Sequence, residues 1–251
     1  MALDIVVMAA GKGTRMKSER PKVLHRLAGR PLLQHVLDSC AALRADRTMV
    51  ITGFGAALVE EAVAGQAVRC VRQEPQLGTG HAVQQVLPHL DAEGTTLIVN
   101  GDVPLLQSRT MQDLADACAG RSLALLTVVL DEPSGYGRIV RDGDAVRGIV
   151  EHKDATPAQR QIREVYTGAM SAPTAQLKRW VAALRDHNAQ REYYLTDIVA
   201  MAVAEGVPVL AQQVAEETEV LGINDPLQLS QLERRVQLRQ AEALMRDGVR
   251  L

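Results

Sequence analysis

The chain has 251 residues, which is enough for one large domain or two small ones. Hydrophobic residues make up 47% of the chain, enough for a sizeable core, and the net charge is −2. The near-neutral charge leaves no basic field for a nucleic-acid backbone, and 2% aromatic residues are too few for stacking single-stranded bases. No apolar run approaches the roughly 18 residues of a membrane span, and the N-terminus lacks the basic region of a signal peptide. We therefore expect a cytoplasmic protein with no nucleic-acid partner and no membrane partner.

The three cysteines also exclude some classes of protein. Cys40, Cys70 and Cys118 are far apart, odd in number and outside any C-x-x-C motif. This spacing argues against a disulfide framework and a zinc site, and predicts thiols in a reducing compartment.

The first half of the chain alternates short apolar runs with helix-like segments. The runs rich in Val, Ile and Leu predict strands at Leu3–Ala9, Thr48–Thr52, Val68–Gln73, Thr95–Asn100 and Leu123–Leu130. The segments between them predict helices at Pro31–Ala45, Ala56–Ala64, His81–Leu90 and Ser108–Ala119. This alternation predicts an α/β fold with a parallel sheet covered by helices, in which ligands bind at the carboxyl ends of the strands.

The second half is less regular. Residues 137–155 predict a hairpin that turns at Asp142-Gly143-Asp144, and "VYTGAMSAP" predicts another strand. Two helices are predicted near Thr174–Arg185 and Thr196–Glu205, and a long charged helix over Pro226–Arg246.

A glycine-rich loop, "AAGKGTRM", follows the first strand. Gly11 and Gly13 let backbone N–H groups approach an anion without a Cβ in the way, which favours a phosphate ligand. The dinucleotide fingerprint G-x-G-x-x-G fails because its third glycine is Met16, and no stretch matches the P-loop. Arg15 and Lys22 follow as cations that suit phosphate. A surface turn with two solvated cations is the alternative for the glycines alone.

Motifs along the whole chain resemble those of the sugar-nucleotide pyrophosphorylases, a family of nucleotidyltransferases. They are "AAGKGTRM", "QEPQLGTGHAV", "NGDVPL", "GYGRIVR", "IVEHKDA", "NAQREYYLTD" and "GIND". Their order is similar to that of the uridylyltransferase domains of bacterial bifunctional enzymes. The resemblance implies a Rossmann-like mixed, mainly parallel sheet flanked by helices, of the nucleotide-diphospho-sugar transferase type. It also implies transfer of UMP from UTP to N-acetylglucosamine 1-phosphate, for peptidoglycan and lipopolysaccharide precursors.

The resemblance assigns roles to particular residues. It implies Arg15 and Lys22 as catalytic cations, and Mg²⁺ held by Asp102 and Asn224. Asp102 also suits Mg²⁺ because it follows the end of a strand, although a turn or cap residue remains the alternative. Nucleotide contacts are implied for Met8, Ala9, Ala10, Gly11, Gln73, Gly78, Thr79, Asn100 and Gly101. Sugar contacts are implied for Gly137, Glu151, Tyr166, Tyr194 and Thr196.

Several of these residues have simpler alternatives. Thr79 and Thr196 fit helix caps, Tyr194 fits a core aromatic, and Glu151 fits a solvated hairpin residue. Lys153 is expected to be a solvated charge. The family pattern itself is altered at Met8, Asn100, His152, Tyr166 and Arg191, which leaves the choice of sugar and base open.

The domain organisation also follows from the resemblance. Residues 1–225 are expected to form the nucleotidyltransferase domain, with residues 137–200 facing the sugar. Residues 226–251 are expected to form a helix leading to a β-helix domain whose hexapeptide repeats this chain lacks. Because the family's trimer is built largely through that β-helix, the chain is expected to be a monomer without acetyl-transfer activity. A pyrophosphorylase for another sugar phosphate or nucleotide, or a non-catalytic sugar-nucleotide-binding domain, are the competing hypotheses.

Overall fold

A computed structural model describes residues 2–251. The strands in this range, given in chain order, are β1 Leu3–Ala9, β2 Arg26–Leu27, β3 Arg30–Pro31, β4 Arg47–Thr52, β5 Arg69–Arg72, β6 Thr95–Asn100, β7 Leu123–Val129, β8 Arg138–Asp142, β9 Ala145–Val150, β10 Glu164–Pro173 and β11 Val209–Gln213. The α-helices in this range are α1 Leu32–Ala41, α2 Ala56–Ala62, α3 Thr79–Val86, α4 Ser108–Cys118, α5 Pro157–Arg160, α6 Thr174–Ala183, α7 Ile198–Ala204 and α8 Pro226–Arg246. The order of elements confirms the predicted α/β class.

The main sheet is mixed and mainly parallel. Its strands lie in the order β11-β7-β10-β6-β1-β4-β5, and the β8–β9 hairpin branches from β10. β10 is antiparallel to both of its neighbours, whereas β1 pairs in parallel with β4 and β6. The carboxyl ends of β1, β4, β5 and β6 therefore meet at one edge, where loops can build a site.

Apolar side chains cover both faces of the sheet, as the continuous apolar strands require. Alternate residues of β1 enter opposite clusters: Ile5 and Val7 pack on the face of α1 and α4, and Val6 packs on the face of α3, α6 and α7. Both clusters are dominated by Val, Leu, Ile and Ala, and Trp180 of α6 is the largest fully buried side chain.

Some boundaries differ from the predicted ones. α1 ends at Ala41 rather than Ala45, and the chain then turns at Arg44, whose φ of 51° is left-handed. α3 begins at Thr79 rather than His81 and gives way to a short 3₁₀ helix over Leu87–His89. The predicted helix from Thr196 is a 3₁₀ turn followed by α7. β1, β6 and α8 have the predicted bounds.

Candidate functional site

A cleft of about 600 Å³ opens at the carboxyl edge of the sheet. Its walls come from the loops after β1, β5 and β6, from the start of α3, and from two segments late in the chain. The lining residues are Met8, Ala9, Ala10, Gly11, Lys12, Lys22, Val23, Gln73, Gln76, Gly78, Thr79, Ala82, Asn100, Asp102, Glu192 and Asn224. The fold therefore brings most of the sequence-predicted nucleotide and metal residues to one cleft.

The glycine-rich loop after β1 forms one wall of this cleft. Gly13 has a φ of 58°, and a Cβ built on it would lie 2.6 Å from the Cβ of Lys22. Only glycine lets the loop pack this closely on the stem of Lys22. The loop thus holds Lys22 in the cleft, whereas Arg15 is exposed on the adjacent 3₁₀ helix and does not line the cleft.

Lys22 joins two segments that are distant in sequence. Its ammonium forms an ion pair with the Asp102 carboxylate and donates to Asn224 Oδ1 over 3.1 Å. The Lys22 and Asp102 side chains are only 15% and 13% exposed, so their charges lie in a partly desolvated setting. We call Lys22, Asp102 and Asn224 the lysine cluster. Asp102 is therefore an ion-pair partner at the cleft rather than a simple turn residue.

Backbone hydrogen bonds hold the lysine cluster in place. The Gly101 N–H donates to the Met8 carbonyl over 3.0 Å, which ties the end of β6 to β1. The Ile223 N–H donates to the Asp102 carbonyl over 3.0 Å, which brings Asn224 alongside. Asp225 then caps α8 by accepting from the Gln228 N–H over 2.8 Å. The late loop is thereby fixed between the sheet edge and a helix start.

A second glycine-rich loop, residues 76–80, is paired with residues 193–195. Gly80 donates to the Tyr193 carbonyl over 2.7 Å, and Tyr193 donates to the Leu77 carbonyl over 2.8 Å. Thr79 does not cap its helix, because its hydroxyl accepts from the Leu195 N–H over 3.0 Å. The alternative that Thr79 is an ordinary helix cap is therefore wrong.

Two glutamine amides face this loop. Gln73 follows β5 and is 5% exposed, and its Nε2 donates to the Gly78 carbonyl over 2.9 Å. Gln76 donates to the Ala10 carbonyl over 2.9 Å, which links the two glycine-rich loops. Both amides line the cleft and carry hydrogen-bonding capacity suited to a base.

The carboxylate of Glu151 follows the β8–β9 hairpin. It accepts from the Thr196 hydroxyl over 2.9 Å, and a Cβ on Gly137 would lie 3.6 Å from each of its oxygens. Burial raises the pKa of Glu151, and the charges of Asp197, Asp154 and Glu192 raise it further, against the hydrogen bond from Thr196. We call Gly137, Glu151 and Thr196 the hairpin cluster. Glu151 is thus not a solvated hairpin residue. Thr196 lies inside the 3₁₀ turn and donates to Glu151, so the alternative that it caps a helix is wrong.

The two predicted sugar-binding tyrosines have different surroundings. Tyr194 is 5% exposed and donates from its hydroxyl to Asp154 Oδ2 over 3.2 Å, and its pKa is raised to about 12, mainly by burial. The hydroxyl of Tyr166 is buried and has no hydrogen-bond partner among residues 2–251. Burial and the charge of Glu151 raise the pKa of Tyr166, so this phenol is neutral. The Tyr166 N–H donates to the Gly137 carbonyl over 2.9 Å, so the residue lies beside the hairpin cluster.

Sequence reasoning missed five residues that line the cleft, namely Lys12, Val23, Gln76, Ala82 and Glu192. Of the three polar ones, Lys12 is the variable residue of the first G-x-G, Gln76 opens the second glycine-rich loop, and Glu192 precedes the paired tyrosines. Each lies inside a quoted motif, so proximity to the motif was the available signal. Lys153 is exposed and donates to Gln190 Oε1 over 2.5 Å, in line with a solvated charge.

Residues 2–251 contain neither a metal-binding group of three His, Cys, Asp or Glu side chains nor a membrane-spanning helix. Within that range no three His, Cys, Asp or Glu side chains converge as a self-sufficient metal site would need. Nor does any helix in the same range combine the length and the apolar character needed to cross a membrane.

Comparison with known proteins identifies the domain. Residues 5–212 match the MobA-like NTP transferase domain. The chain belongs to the MobA-like NTP transferase domain family. Membership means that it is a nucleotidyltransferase domain, a class that suits the glycine-rich loops, cations and side-chain oxygens found at the sheet edge.

The curated relatives of this MobA-like domain include the bifunctional proteins GlmU of three bacteria. The identities are 65% for Methylibium petroleiphilum, 62% for Paracidovorax citrulli and 53% for Saccharophagus degradans. Each match covers 99% or more of this chain and 54–56% of the relative. The chain spans about half the length of the curated relatives it matches.

Solved structures share the fold of this MobA-like domain at low identity. A nucleotidyl transferase from Methanothermobacter thermautotroptrophicus is 22% identical with a TM-score of 0.65, over 95% of this chain and 99% of that one. HddC from Yersinia pseudotuberculosis is 16% identical with a TM-score of 0.68, over 93% of this chain and 99% of that one. These likenesses establish the nucleotide-diphospho-sugar transferase fold.

Proposed function

We propose that the chain transfers UMP from UTP to N-acetylglucosamine 1-phosphate and releases pyrophosphate. The observation that carries the proposal is the lysine cluster: three segments of the chain meet at one cation in a cleft walled by a glycine-rich loop. The UTP and sugar substrates rest on the motif resemblance, and the nucleotidyltransferase class rests on family membership.

The chemistry requires positioning rather than a general base. A phosphate monoester has a second pKa near 6, so the sugar phosphate is already an anionic nucleophile at neutral pH. Its oxygen forms a bond to the α-phosphorus as the bond to the pyrophosphate oxygen breaks. The protein must hold two polyanions in line and neutralise the charge that builds at the α-phosphate. Lys22 and Arg15 are the proposed cations for this task.

The residues at the lysine cluster fit a hard divalent cation. The Asp102 carboxylate and the Asn224 amide oxygen both face one positive charge, the Lys22 ammonium. Mg²⁺ prefers such oxygen ligands, keeps several waters and commonly completes its shell with substrate phosphates. We propose that Asp102 and Asn224 hold Mg²⁺, which when bound would neutralise charge on the triphosphate. Two protein ligands suffice only when the nucleotide brings the others.

The nucleotide is proposed to lie along the cleft walls. Backbone groups of Gly11 and its neighbours suit the phosphates because no side chain obstructs them. Amide and backbone hydrogen bonds near Gln73 suit the base. The proposed nucleotide contacts are Met8, Ala9, Ala10, Gly11, Gln73, Gly78, Thr79, Asn100 and Gly101.

We propose that the sugar binds at the hairpin cluster. A carboxylate that has lost most of its water accepts hydrogen bonds readily, and sugar hydroxyls are donors. Glu151 is therefore proposed to bind sugar hydroxyls and to orient the 1-phosphate, with Tyr166 offering its unpartnered hydroxyl nearby. Tyr194 is proposed to act by shaping this wall, because its own hydroxyl is used by Asp154.

Pyrophosphate release across a panel of substrates tests the proposal. The panel crosses four nucleoside triphosphates with N-acetylglucosamine 1-phosphate, glucosamine 1-phosphate and glucose 1-phosphate, in the presence of Mg²⁺. The expected result is the highest kcat/KM for UTP with N-acetylglucosamine 1-phosphate. A clear preference for another pair would reassign the substrates, and Asn100 and Tyr166, which depart from the family pattern, are the first residues to examine. No turnover with any pair would overturn the proposed function.

A further inference from the structure

The Lys22 ammonium lies between the two oxygens that are proposed to hold a divalent cation. It forms an ion pair with the Asp102 carboxylate and donates to Asn224 Oδ1 over 3.1 Å. One cation thus contacts both of the proposed ligands, and a second cation cannot share that position without strong repulsion. Any divalent cation that binds between Asp102 and Asn224 must therefore displace the ammonium.

The Asn224 oxygen is held in place without the help of Lys22. The Asn224 N–H donates to Gln228 Oε1 over 2.8 Å, and Asn224 Nδ2 donates to the Gly222 carbonyl over 3.4 Å. These contacts direct Oδ1 toward the Asp102 side of the cleft. The two oxygens therefore stay together when the ammonium moves away.

The stem of Lys22 is fixed, whereas its charged end can turn. A Cβ built on Gly13 would lie 2.6, 3.3 and 3.4 Å from the Cβ, Cγ and Cδ of Lys22, so the glycine-rich loop packs along the stem. The last torsions of the side chain carry the ammonium, and the cleft beside it has a volume of about 600 Å³. A displaced ammonium therefore stays in the cleft, beside the loop proposed to bind the nucleotide phosphates.

We propose that Lys22 competes with the divalent cation for Asp102 and Asn224, and that the nucleotide phosphates relieve this competition. The inference rests on the proposed function, which supplies the metal and the nucleotide. Phosphate oxygens attract the ammonium away from the carboxylate and provide further ligands for the metal. The protein alone should therefore bind a divalent cation weakly, and the metal should enter together with the triphosphate.

Binding of Mn²⁺ to the full chain without nucleotide tests the competition. Mn²⁺ accepts the same oxygen ligands as Mg²⁺, and electron paramagnetic resonance measures the concentration of its free ions. Lys22→Met keeps the length of the stem but removes the ammonium. A hydrogen bond to a charged group contributes a free energy equivalent to roughly ten- to a hundredfold in an equilibrium constant. The dissociation constant of Mn²⁺ is therefore expected to fall by about tenfold or more in Lys22→Met.

Three matched variants separate direct competition from a general change of charge. Lys12→Met removes the same charge from the same cleft, but no ion pair within residues 2–251 joins Lys12 to Asp102, so Mn²⁺ affinity should change little. Lys22→Arg keeps the positive charge and should keep the weak binding. In the double variant Lys22→Met with Asp102→Asn the gain should disappear, because the carboxylate that the ammonium releases is missing.

Each outcome decides for or against the competition. Equal Mn²⁺ affinity in Lys22→Met and in the unsubstituted protein would overturn the inference, as would an equal gain in Lys12→Met. If Lys22→Met does not fold, Lys22→Ala is measured in the same way. A gain that survives in the double variant would place the metal away from Asp102 and overturn both the inference and the proposed metal site. Turnover of UTP with the sugar phosphate by the unsubstituted protein tests the proposed function separately, so the failures are distinguishable.

Discussion

The lysine cluster and the hairpin cluster each contain a partly buried carboxylate, but the negative charges of these two carboxylates have different neighbours. Asp102 pairs directly with the Lys22 ammonium. Glu151 accepts a hydrogen bond from the Thr196 hydroxyl, and burial, together with the charges of Asp197 and Asp154, raises its pKa. A cleft wall with a cation at its centre suits phosphate, whereas an uncompensated carboxylate suits a ligand rich in hydroxyl groups. This contrast supports the proposal that the two clusters bind different substrates.

Loss of the cation should have the largest effect. Lys22→Ala is expected to lower kcat by roughly 10²-fold or more, the usual loss when a group that stabilises transition-state charge is removed. Arg15→Ala is expected to act in the same direction. Lys153→Ala is the matched control, because that lysine is exposed and donates to Gln190. Steady-state pyrophosphate release measures all three: full activity in Lys22→Ala would contradict the role of the lysine cluster, and full activity in Arg15→Ala would contradict the role of Arg15.

The proposed binding of Mg²⁺ at the lysine cluster is tested next. Asp102→Asn keeps the shape of the side chain but removes its charge, so it should raise the Mg²⁺ concentration for half-maximal rate and lower kcat about tenfold or more. Asp113→Asn, at an exposed pair with Arg109, is the control. Chelation by EDTA should abolish turnover and added Mg²⁺ should restore it. Full activity of the chelated protein would contradict the metal role.

At the hairpin cluster, the expected change is in substrate affinity. Glu151→Ala should raise the KM for N-acetylglucosamine 1-phosphate by about tenfold and lower kcat, because the sugar loses its orientation, while the KM for UTP changes little. Glu164→Ala, which breaks an ion pair with Arg141 on β8, is the control. Steady-state kinetics with each substrate varied in turn measure kcat and the two KM values separately. Unchanged constants for the sugar phosphate would refute the sugar role.

The smallest expected effect concerns stability against pH. The folded-state pKa of Glu151 is raised, so its contribution to stability is present below the unfolded pKa and is lost as pH rises through the folded value. Glu151→Gln should therefore raise Tm at pH 7.5 by a few degrees, since about 1 kcal/mol shifts Tm by roughly 2–4 °C in a chain of this size. The gain should disappear near pH 4.

A carboxylate with the opposite shift provides the control for that measurement. The hydrogen bonds from Arg141 lower the pKa of Glu164, so its contribution is present above the unfolded pKa and is lost as pH falls through the folded value. Glu164→Gln should lower Tm at pH 7.5 and lose that effect in acid. Thermal unfolding of both variants at the two pH values checks the signs, and a destabilised Glu151→Gln at pH 7.5 would contradict the burial argument.

Much of the fold was predictable because local signals were clear. β1 and β6 are continuous apolar runs that end at Ala10 and Gly101, and Asp225 followed by a proline marks the start of α8. β11 was missed because this edge strand is short, follows a proline and is only partly buried, so its apolar pattern is weak. The end of α1 was placed too late because helix-favouring residues continue past the left-handed turn.

The candidate site was less accessible to local reasoning. Lys22 lies 80 residues from Asp102 and 202 from Asn224, and no spacing rule brings such positions together. Their assignment to one site came from the family resemblance.

The central claim is that a sugar phosphate oxygen attacks the α-phosphorus of the nucleotide between these two clusters. The most direct measurement uses N-acetylglucosamine 1-phosphate labelled with oxygen-18 in its phosphate, with unlabelled UTP and Mg²⁺, and mass spectrometry of the products. The account predicts that all of the label stays in UDP-N-acetylglucosamine and that the pyrophosphate is unlabelled. Label in released phosphate or pyrophosphate would show that the sugar phosphate is cleaved instead, and would contradict the account.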